Sequence, residues 1–217
     1  MFVANLQQIH SRLASHSARR EIRPTGPHLL AAVALAIHAP ANGSPEILLI
    51  ERATHESDPW SGQMSFPGGH YKTEDENLER TAIRETQEET GLVLEHPLGP
   101  LDEVRGLKHP KVQPMIVAPF AFEVPERPRL RPNREVESTV WVPVSAILDP
   151  GTQTTYHFER AGFSGDFPAL RHEGYTIWGI TYKILTQFAG LLGVELPTLN
   201  VTYEKDLQRL REEKPKI

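Results

Sequence analysis

The longest unbroken apolar run of the chain, Leu29–Ile37, sets the tightest limit on how it can fold. A transmembrane helix needs about twice that length, so we expect a buried strand instead. The turn-forming stretch PANGSP (40–45) follows, and it contains Asn42-Gly43, a pair typical of tight hairpins. Glu46–Arg52 (EILLIER) is a second strand-like segment. The sequence therefore predicts an antiparallel β-hairpin.

The remaining segments mix helix-like and strand-like patterns without regular strand–helix–strand alternation. This favours an α+β fold over a doubly wound sheet. The predicted helices are residues 1–20, 77–90, 144–148 and 175–192. The further predicted strands are residues 112–124 and 136–142. Residues 150–169 are expected to be irregular, and residues 204–216 to form a charged tail. The predicted units are an N-terminal helix with linker (1–27), a main domain (28–195) and a C-terminal tail (196–217).

Individual residues refine two of these segments. Asp75 is a suitable N-cap for the helix at 77–90, and Gly91 is a suitable C-cap. Pro114 and Pro119 interrupt the strand at 112–124, which suits an edge strand or a bulge because proline donates no ladder hydrogen bond.

The chain has no Cys, which excludes a disulfide scaffold, a thiolate zinc site and a cysteine nucleophile. This composition fits a reducing compartment. Met1–Arg20 lacks the layout of a secretory signal, so we expect a cytoplasmic protein that does not enter a membrane. The formal charge of −5 argues against a general nucleic-acid binder. That charge is concentrated, because Glu74–Glu95 contains eight acids and two bases.

Three acids of this segment share one side of the predicted helix. Glu85, Glu88 and Glu89 fall within an arc of about 100°. Their mutual repulsion would be relieved by a hard divalent cation, and Mg²⁺ takes oxygen ligands between carboxylates and phosphates. The alternative is a charged surface helix without metal. Gly68-Gly69 favours the metal site, because glycines let the backbone approach a ligand or metal closely.

The stretch from Gly69 to Leu92 resembles the Nudix box. The box pattern is Gly, five residues, Glu, seven residues, then Arg-Glu-apolar-any-Glu-Glu-any-Gly-apolar. Here seven residues separate Glu76 from Arg84, and the matching positions are Arg84, Glu85, Glu88, Glu89, Gly91 and Leu92. The sequence departs from the pattern twice, with six residues between Gly69 and Glu76 and with Thr86 in an apolar position.

The resemblance implies the Nudix fold, a mixed β-sheet sandwiched between α-helices, and a Mg²⁺- or Mn²⁺-dependent hydrolase of nucleoside diphosphate derivatives. The implied metal ligands are Glu85, Glu89, Glu88 and the carbonyl of Gly69. Arg84 would hold a box carboxylate in place, with Glu76 as the candidate. The general base stays open among Glu85, Glu88 and a glutamate of a distal loop, for which Glu135 and Glu137 are candidates.

The flanking motif WSGQMSFPGG (60–69) resembles that of the coenzyme A pyrophosphatase branch of the family. Trp60 stands where that branch usually has a His. The resemblance implies cleavage of coenzyme A to 3′,5′-ADP and 4′-phosphopantetheine. The candidate substrate-binding residues are Arg52, Trp60, Gly68 and Gly69, and further candidate phosphate contacts are Arg105, Lys108 and Lys111.

Two alternatives remain at this point. A Nudix hydrolase of nucleoside diphosphate sugars, ADP-ribose or (deoxy)nucleoside triphosphates would carry the same box. A nucleotide-sensing module without catalysis would be expected to lose box carboxylates, which this chain keeps. The N-terminal amphipathic helix and the late helix are also candidate surfaces for a homodimer.

Overall fold

A mixed sheet of eight strands forms the centre of the fold. The computed structural model describes residues 4–21, 28–55, 60–106, 115–160 and 163–198. The strands of the central sheet are β1 (Leu29–His38), β2 (Glu46–Arg52), β3 (Met64–Ser65), β4 (Gly68–His70), β5 (His96–Pro100), β6 (Val104–Arg105), β7 (Met115–Val124) and β8 (Val136–Pro143). The helices are α1 (Leu6–Ser15), α2 (Leu78–Thr90), α3 (Val144–Ile147) and α4 (Gly179–Leu191). A second sheet contains β9 (Gln153–Arg160), β10 (Phe163–His172) and β11 (Tyr175–Trp178).

The predicted hairpin is confirmed, since β1 and β2 pair antiparallel with Ile37 opposite Ile47. β1 also runs parallel to β7 along its whole length, from Leu29 opposite Met115 to His38 opposite Val124. β4 pairs antiparallel with β1, and β8 with β2. The sheet is mixed, with one parallel pair among antiparallel ones and no regular strand–helix–strand alternation, so the predicted α+β class is confirmed.

Side chains of β1 alternate between two apolar layers. Ala32, Ala34 and Ala36 pack with Ala82 of α2, whereas Leu35 and Ile37 pack on the opposite side with residues of α1 and α4. The sheet therefore lies between helices, as predicted. The three alanines are small, so the backbone of α2 comes close to the sheet and brings the acidic end of the helix against β4.

Both ends of α2 are fixed by caps. Gly91 takes a left-handed conformation (φ 72°), as predicted, and its N–H donates to Gln87 O. The predicted N-cap is wrong, because Asn77 caps the helix and accepts from Arg80 N at 3.0 Å. Asp75 lies too far upstream to cap and binds other groups. α1 is shorter than the predicted 1–20 helix, since the Asn5–Gln8 capping box starts it at Leu6.

The prediction of an edge position for the strand at 112–124 is also wrong. β7 is a central strand, with β1 on one side and β5 and β6 on the other. Pro119 lies opposite the gap between β5 and β6, and its carbonyl accepts from Leu101 N there at 2.9 Å. The N–H that proline lacks would point to the same side of the strand, so no ladder hydrogen bond is lost. Pro114 lies outside the described residues.

The region expected to be irregular, 150–169, instead contains a short 3₁₀ turn (Pro150–Thr152) followed by β9 and most of β10. Glu173 and Gly174, both with positive φ, form the tight turn between β10 and β11. The buried helix predicted for 175–192 begins only at Gly179, because its first four residues are β11. The predicted strand at 136–142 and the short helix after it are confirmed as β8 and α3.

No helix in the described parts of the chain is both long and apolar enough to cross a membrane. The predicted charged tail at 204–216 lies outside the described residues.

Candidate active site

The box arginine, Arg84, lies in the middle of α2 and is the centre of a charged network. Its Nε and Nη2 donate to the two carboxylate oxygens of Asp75, each at 2.8 Å. Its Nη1 donates to Glu85 Oε1 at 2.6 Å and lies 3.3 Å from Glu88 Oε2. Nη2 also donates to His70 O of β4 at 3.3 Å. One guanidinium therefore ties the preceding loop, β4 and two box carboxylates together.

Asp75, not Glu76, is the acid that holds Arg84. The hydrogen bonds from Arg84 hold the pKa of the Asp75 carboxyl well below its ordinary value, against the opposing effect of burial. Its Oδ2 also accepts from Thr81 Oγ1 at 2.8 Å. The Glu76 side chain is 77% exposed and its nearest cation is Arg80 at 3.7 Å, so the predicted Glu76–Arg84 pair is wrong. The sequence carried a signal, since five residues separate Gly69 from Asp75, the spacing of the first acid in the box pattern.

Gly69 lies directly against the carboxylate of Glu85. A Cβ at position 69 would stand 2.6 Å from Glu85 Cδ and within 3.0 Å of both carboxylate oxygens. Real Cβ atoms do not approach so closely, so only glycine allows this contact. The backbone of β4 and the Glu85 carboxylate are thereby brought together, as the predicted metal site requires.

Glu89 is the enclosed carboxylate of the box, with only 3% of the residue exposed. Its Oε2 accepts from Gly68 N at 2.9 Å. Burial raises the pKa of the Glu89 carboxyl to about 8, and the charges of Glu85 and Glu135 act in the same direction. Gly68 N–H and Arg52 act against them. A carboxyl group in this position is costly to ionise unless a cation lies nearby.

Glu88 and Lys72 lie at the open side of the network. The Glu88 side chain is 49% exposed. Lys72, which sequence reasoning did not single out, places its Nζ 4.0 Å from Glu85 Oε1 and 4.0 Å from Glu88 Oε2. The positively charged side chains of Lys72 and Arg84 therefore border the Glu85 and Glu88 carboxylates on this side.

The donor set fits a hard divalent cation. Within the ranges that the structure describes, no three His, Asp or Glu side chains converge to enclose a metal ion by themselves. Mg²⁺ does not need such an enclosure, since it usually keeps several waters and binds one or two carboxylates together with substrate phosphates. The buried Glu89 carboxylate and the contact between Gly69 and Glu85 supply this kind of oxygen site.

A second group of polar residues lies next to the box. Arg52, His55, Arg134 and Glu135 line a cavity of about 280 Å³. Arg52 and Glu135 both act electrostatically on Glu89, which places the cavity beside the box carboxylates. Arg134 was missed in the sequence because an isolated arginine in a polar loop has no distinguishing pattern.

Other predicted site residues belong to other elements of the fold. Trp60 has an exposed side chain in the turn before β3, where its carbonyl accepts from Gln63 N. Glu137 is exposed on β8, and Arg105 lies 3.6 Å from Glu21. Lys108 and Lys111 are outside the described residues. Substrate contacts by Trp60 and Arg105, and a basic role for Glu137, stay predictions.

Known proteins resemble this chain in sequence and in fold. The family model of the NUDIX domain matches residues 28–161. The mitochondrial coenzyme A diphosphatase NUDT8 of Homo sapiens is 33% identical over 82% of this chain and 73% of its own length. The protein of the same name from Mus musculus is 31% identical over 90% of this chain and 92% of its own length. A solved MutT/nudix family protein of Enterococcus faecalis matches with a TM-score of 0.53 and 18% identity over 88% of this chain and 75% of that chain, which shows a shared fold.

Proposed function

This chain belongs to the Nudix hydrolase family, and from that premise we propose that it cleaves the pyrophosphate of coenzyme A or its derivatives to 3′,5′-ADP and 4′-phosphopantetheine. As a member of the family it is a hydrolase of phosphoric anhydride bonds. In the reaction, water adds to one phosphorus, the P–O bond of the anhydride breaks, and a proton is released. The coenzyme A assignment draws on the WSGQMSFPGG motif and on the two relatives named as coenzyme A diphosphatases.

The observation that supports metal-dependent hydrolysis is the close contact of Glu85 with Gly69, with Glu85 also held by Arg84. Glu85, Glu89 and the Gly69 carbonyl would hold Mg²⁺ or Mn²⁺. When bound, the metal neutralises phosphate charge and lowers the pKa of a bound water. Arg84 orients Glu85, because its own position is fixed by Asp75.

Glu88 is the carboxylate that we assign to accept the proton of the attacking water. Half of its side chain is exposed, whereas Glu89 is enclosed and Glu85 is bound by Arg84. Glu135, in the neighbouring cavity, is the competing candidate. The pH–rate profiles of Glu88→Gln and Glu135→Gln distinguish them, since loss of the base lowers kcat/KM and changes its acidic limb, whereas loss of the other carboxylate leaves the limb in place.

The cavity of Arg52, His55 and Arg134 is proposed to bind a phosphate of the substrate. Coenzyme A carries a 3′-phosphate in addition to its pyrophosphate, and arginine is suited to phosphate because its planar guanidinium can donate two hydrogen bonds at once. The proposed substrate is thus a small nucleoside diphosphate derivative. The possible homodimer and the cytoplasmic location stay predictions, and the two relatives named above are described as mitochondrial.

A substrate panel tests the proposal. Coenzyme A, ADP-ribose, UDP-glucose and deoxynucleoside triphosphates are incubated with the full chain and Mg²⁺ or Mn²⁺, and products are identified by mass in ¹⁸O-water. We expect coenzyme A to be cleaved with the best kcat/KM and one ¹⁸O to enter a product phosphate. Turnover of a nucleotide sugar or triphosphate with coenzyme A untouched would overturn the substrate assignment.

A further inference from the structure

A second cavity, of about 360 Å³, lies between the three-stranded sheet and the loop that leads into β3. The lining side chains that decide its chemistry are Glu51, Gln63, Tyr156, Phe158, Tyr175 and Trp178. Glu51 lines this cavity, and the next residue, Arg52, lines the proposed phosphate cavity. The two cavities therefore border consecutive residues at the end of β2.

The polar side of this cavity offers hydrogen-bond acceptors. Ser138 Oγ donates to Glu51 Oε2 at 2.8 Å and lies 3.0 Å from Tyr175 Oη. A serine hydroxyl has one proton, so the Tyr175 hydroxyl is the donor in the second bond. The hydroxyl protons of Ser138 and Tyr175 are then both used in hydrogen bonds within the protein. The Glu51 carboxylate keeps its capacity to accept further bonds, which suits a ligand with N–H donors and disfavours a phosphate.

The opposite side is aromatic. Trp178 is buried and stacks on Tyr156, with ring centroids 4.5 Å apart and an angle of 28° between the rings. Phe158 packs against the same Trp178 at 5.0 Å. Tyr156 and Phe158 are half-buried and line the cavity, so they offer aromatic surface to a ligand. Aromatic surfaces of this kind bind flat nucleobases by stacking.

Part of this cavity lies outside the domain that the chain shares with its family. The family match ends at residue 161, whereas Tyr175 and Trp178 belong to β11. Thr181 Oγ1 of α4 donates to Met64 O at 2.9 Å and so fixes α4, which directly follows β11, to the loop side of the cavity. Residues that select a substrate are expected in such additions, because the shared box performs the same chemistry on many substrates.

We propose that this cavity binds the amino-bearing nucleobase of the substrate, with the base stacked beside Tyr156 and Phe158 and its exocyclic amine donating to Glu51. The assignment rests on the proposed function in one respect, since coenzyme A makes that base adenine. The phosphates then extend past Arg52 toward the box.

Equilibrium binding of two mononucleotides tests the assignment. AMP and purine riboside 5′-monophosphate differ only in the exocyclic amine, and neither contains a pyrophosphate that the enzyme could cleave. The full chain with Mg²⁺ is titrated with each by calorimetry. We expect AMP to bind at least about tenfold more tightly, since a hydrogen bond to a charged group is lost with the amine. Equal affinities would overturn the proposal.

Variants show whether the two walls act as proposed. Glu51→Gln replaces the charged acceptor of the ligand amine with a neutral amide, so the preference for AMP should be largely lost. Phe158→Leu should weaken both mononucleotides to the same degree, because it removes a stacking surface. Phe167→Leu is the matched control, since Phe167 packs against Phe158 and Trp178 without lining the cavity. A preference that survives Glu51→Gln, or an equal loss in Phe167→Leu, would contradict the assignment.

Hydrolysis of coenzyme A is measured separately on the unmodified chain. Cleavage without any preference for AMP overturns the assignment of the cavity and leaves the proposed function standing. A Glu51-dependent preference for AMP without cleavage of coenzyme A supports the base site and overturns the proposed substrate.

Discussion

Arg84 donates two hydrogen bonds to the Asp75 carboxylate, from Nε to Oδ1 and from Nη2 to Oδ2, each 2.8 Å long. The same guanidinium donates to Glu85 Oε1 at 2.6 Å. An acid in the loop before α2 therefore determines where a carboxylate of the helix stands. This relationship connects the stability of the loop to the geometry of the proposed metal site.

Asp75→Asn is expected to lower both stability and turnover. The substitution removes one charge of a largely buried pair, which costs roughly 3 kcal/mol of unfolding free energy. Glu85 also loses the fixed position of its partner Arg84, so kcat/KM should fall. Urea unfolding and coenzyme A hydrolysis measure the two effects. Glu76→Gln is the matched control, and its exposed side chain predicts a change within about 0.5 kcal/mol. Equal losses in both variants would contradict the role of Asp75.

The contribution of Asp75 should also depend on pH. Its pKa in the folded protein is held below the ordinary value, mainly by the hydrogen bonds from Arg84. A group with a lowered pKa stabilises the fold fully above its unfolded pKa of about 3.9 and loses that contribution as the pH falls below it. The difference in unfolding free energy between the unmodified chain and Asp75→Asn should therefore be constant from pH 7 to 5 and shrink toward pH 3. A difference that grows on acidification would refute this account.

The box helix was predictable because its signals are local. Carboxylate spacing, helical periodicity and Gly91 all act within a few turns of one helix. The partner of Arg84 was not settled by sequence, since Asp75 and Glu76 are neighbours and only the fold of the loop decides which one turns inward.

The second sheet was missed because its strands carry residues typical of loops. Pro168 pairs with Thr155 on one side, and on the other side β11 ends at Trp178 opposite Ala169. The missing N–H of the proline therefore disrupts no ladder there, which sequence alone does not show. Residues of this sheet line the cavity at Glu51, so the sequence did not predict that cavity either.

Glu89→Gln is expected to abolish most turnover with little change in stability. Gln has the same size, can still accept from Gly68 N and carries no charge, so it avoids the cost of ionising a buried carboxyl. Loss of a group that only supports a metal ligand already costs about 10–100-fold in metal affinity or activity, so loss of a proposed ligand should cost at least about 100-fold in kcat. Steady-state kinetics and thermal melting measure both effects. Glu95→Gln, exposed just beyond α2, is the control, and an unchanged rate in Glu89→Gln would refute the metal assignment.

Gly69→Ala should separate site geometry from folding. The added Cβ would lie 2.6 Å from Glu85 Cδ, and the mobile end of that side chain must move away. We expect kcat to fall by about 10–100-fold, which is typical when a group that positions a metal ligand is lost, with a small loss of stability. Gly190→Ala is the matched control, because its Cβ would meet nothing within 4 Å and alanine favours the helix by about 1 kcal/mol. If Gly69→Ala were as active as Gly190→Ala, the close contact would have no catalytic role.

Arg134→Ala tests the proposed phosphate cavity. Arg134 lines that cavity with Arg52 and His55, so its removal should weaken binding of the 3′-phosphate of coenzyme A. We expect KM for coenzyme A to rise by about tenfold, the loss of one hydrogen bond to a charged group, while KM for dephospho-coenzyme A changes little. The measurement is the ratio of the two KM values in the unmodified chain and in the variant. Arg171→Ala, exposed on β10 and outside the cavity, is the control for general loss of positive charge. An equal rise of KM for both substrates would assign Arg134 to the pyrophosphate instead, because that group is common to both molecules.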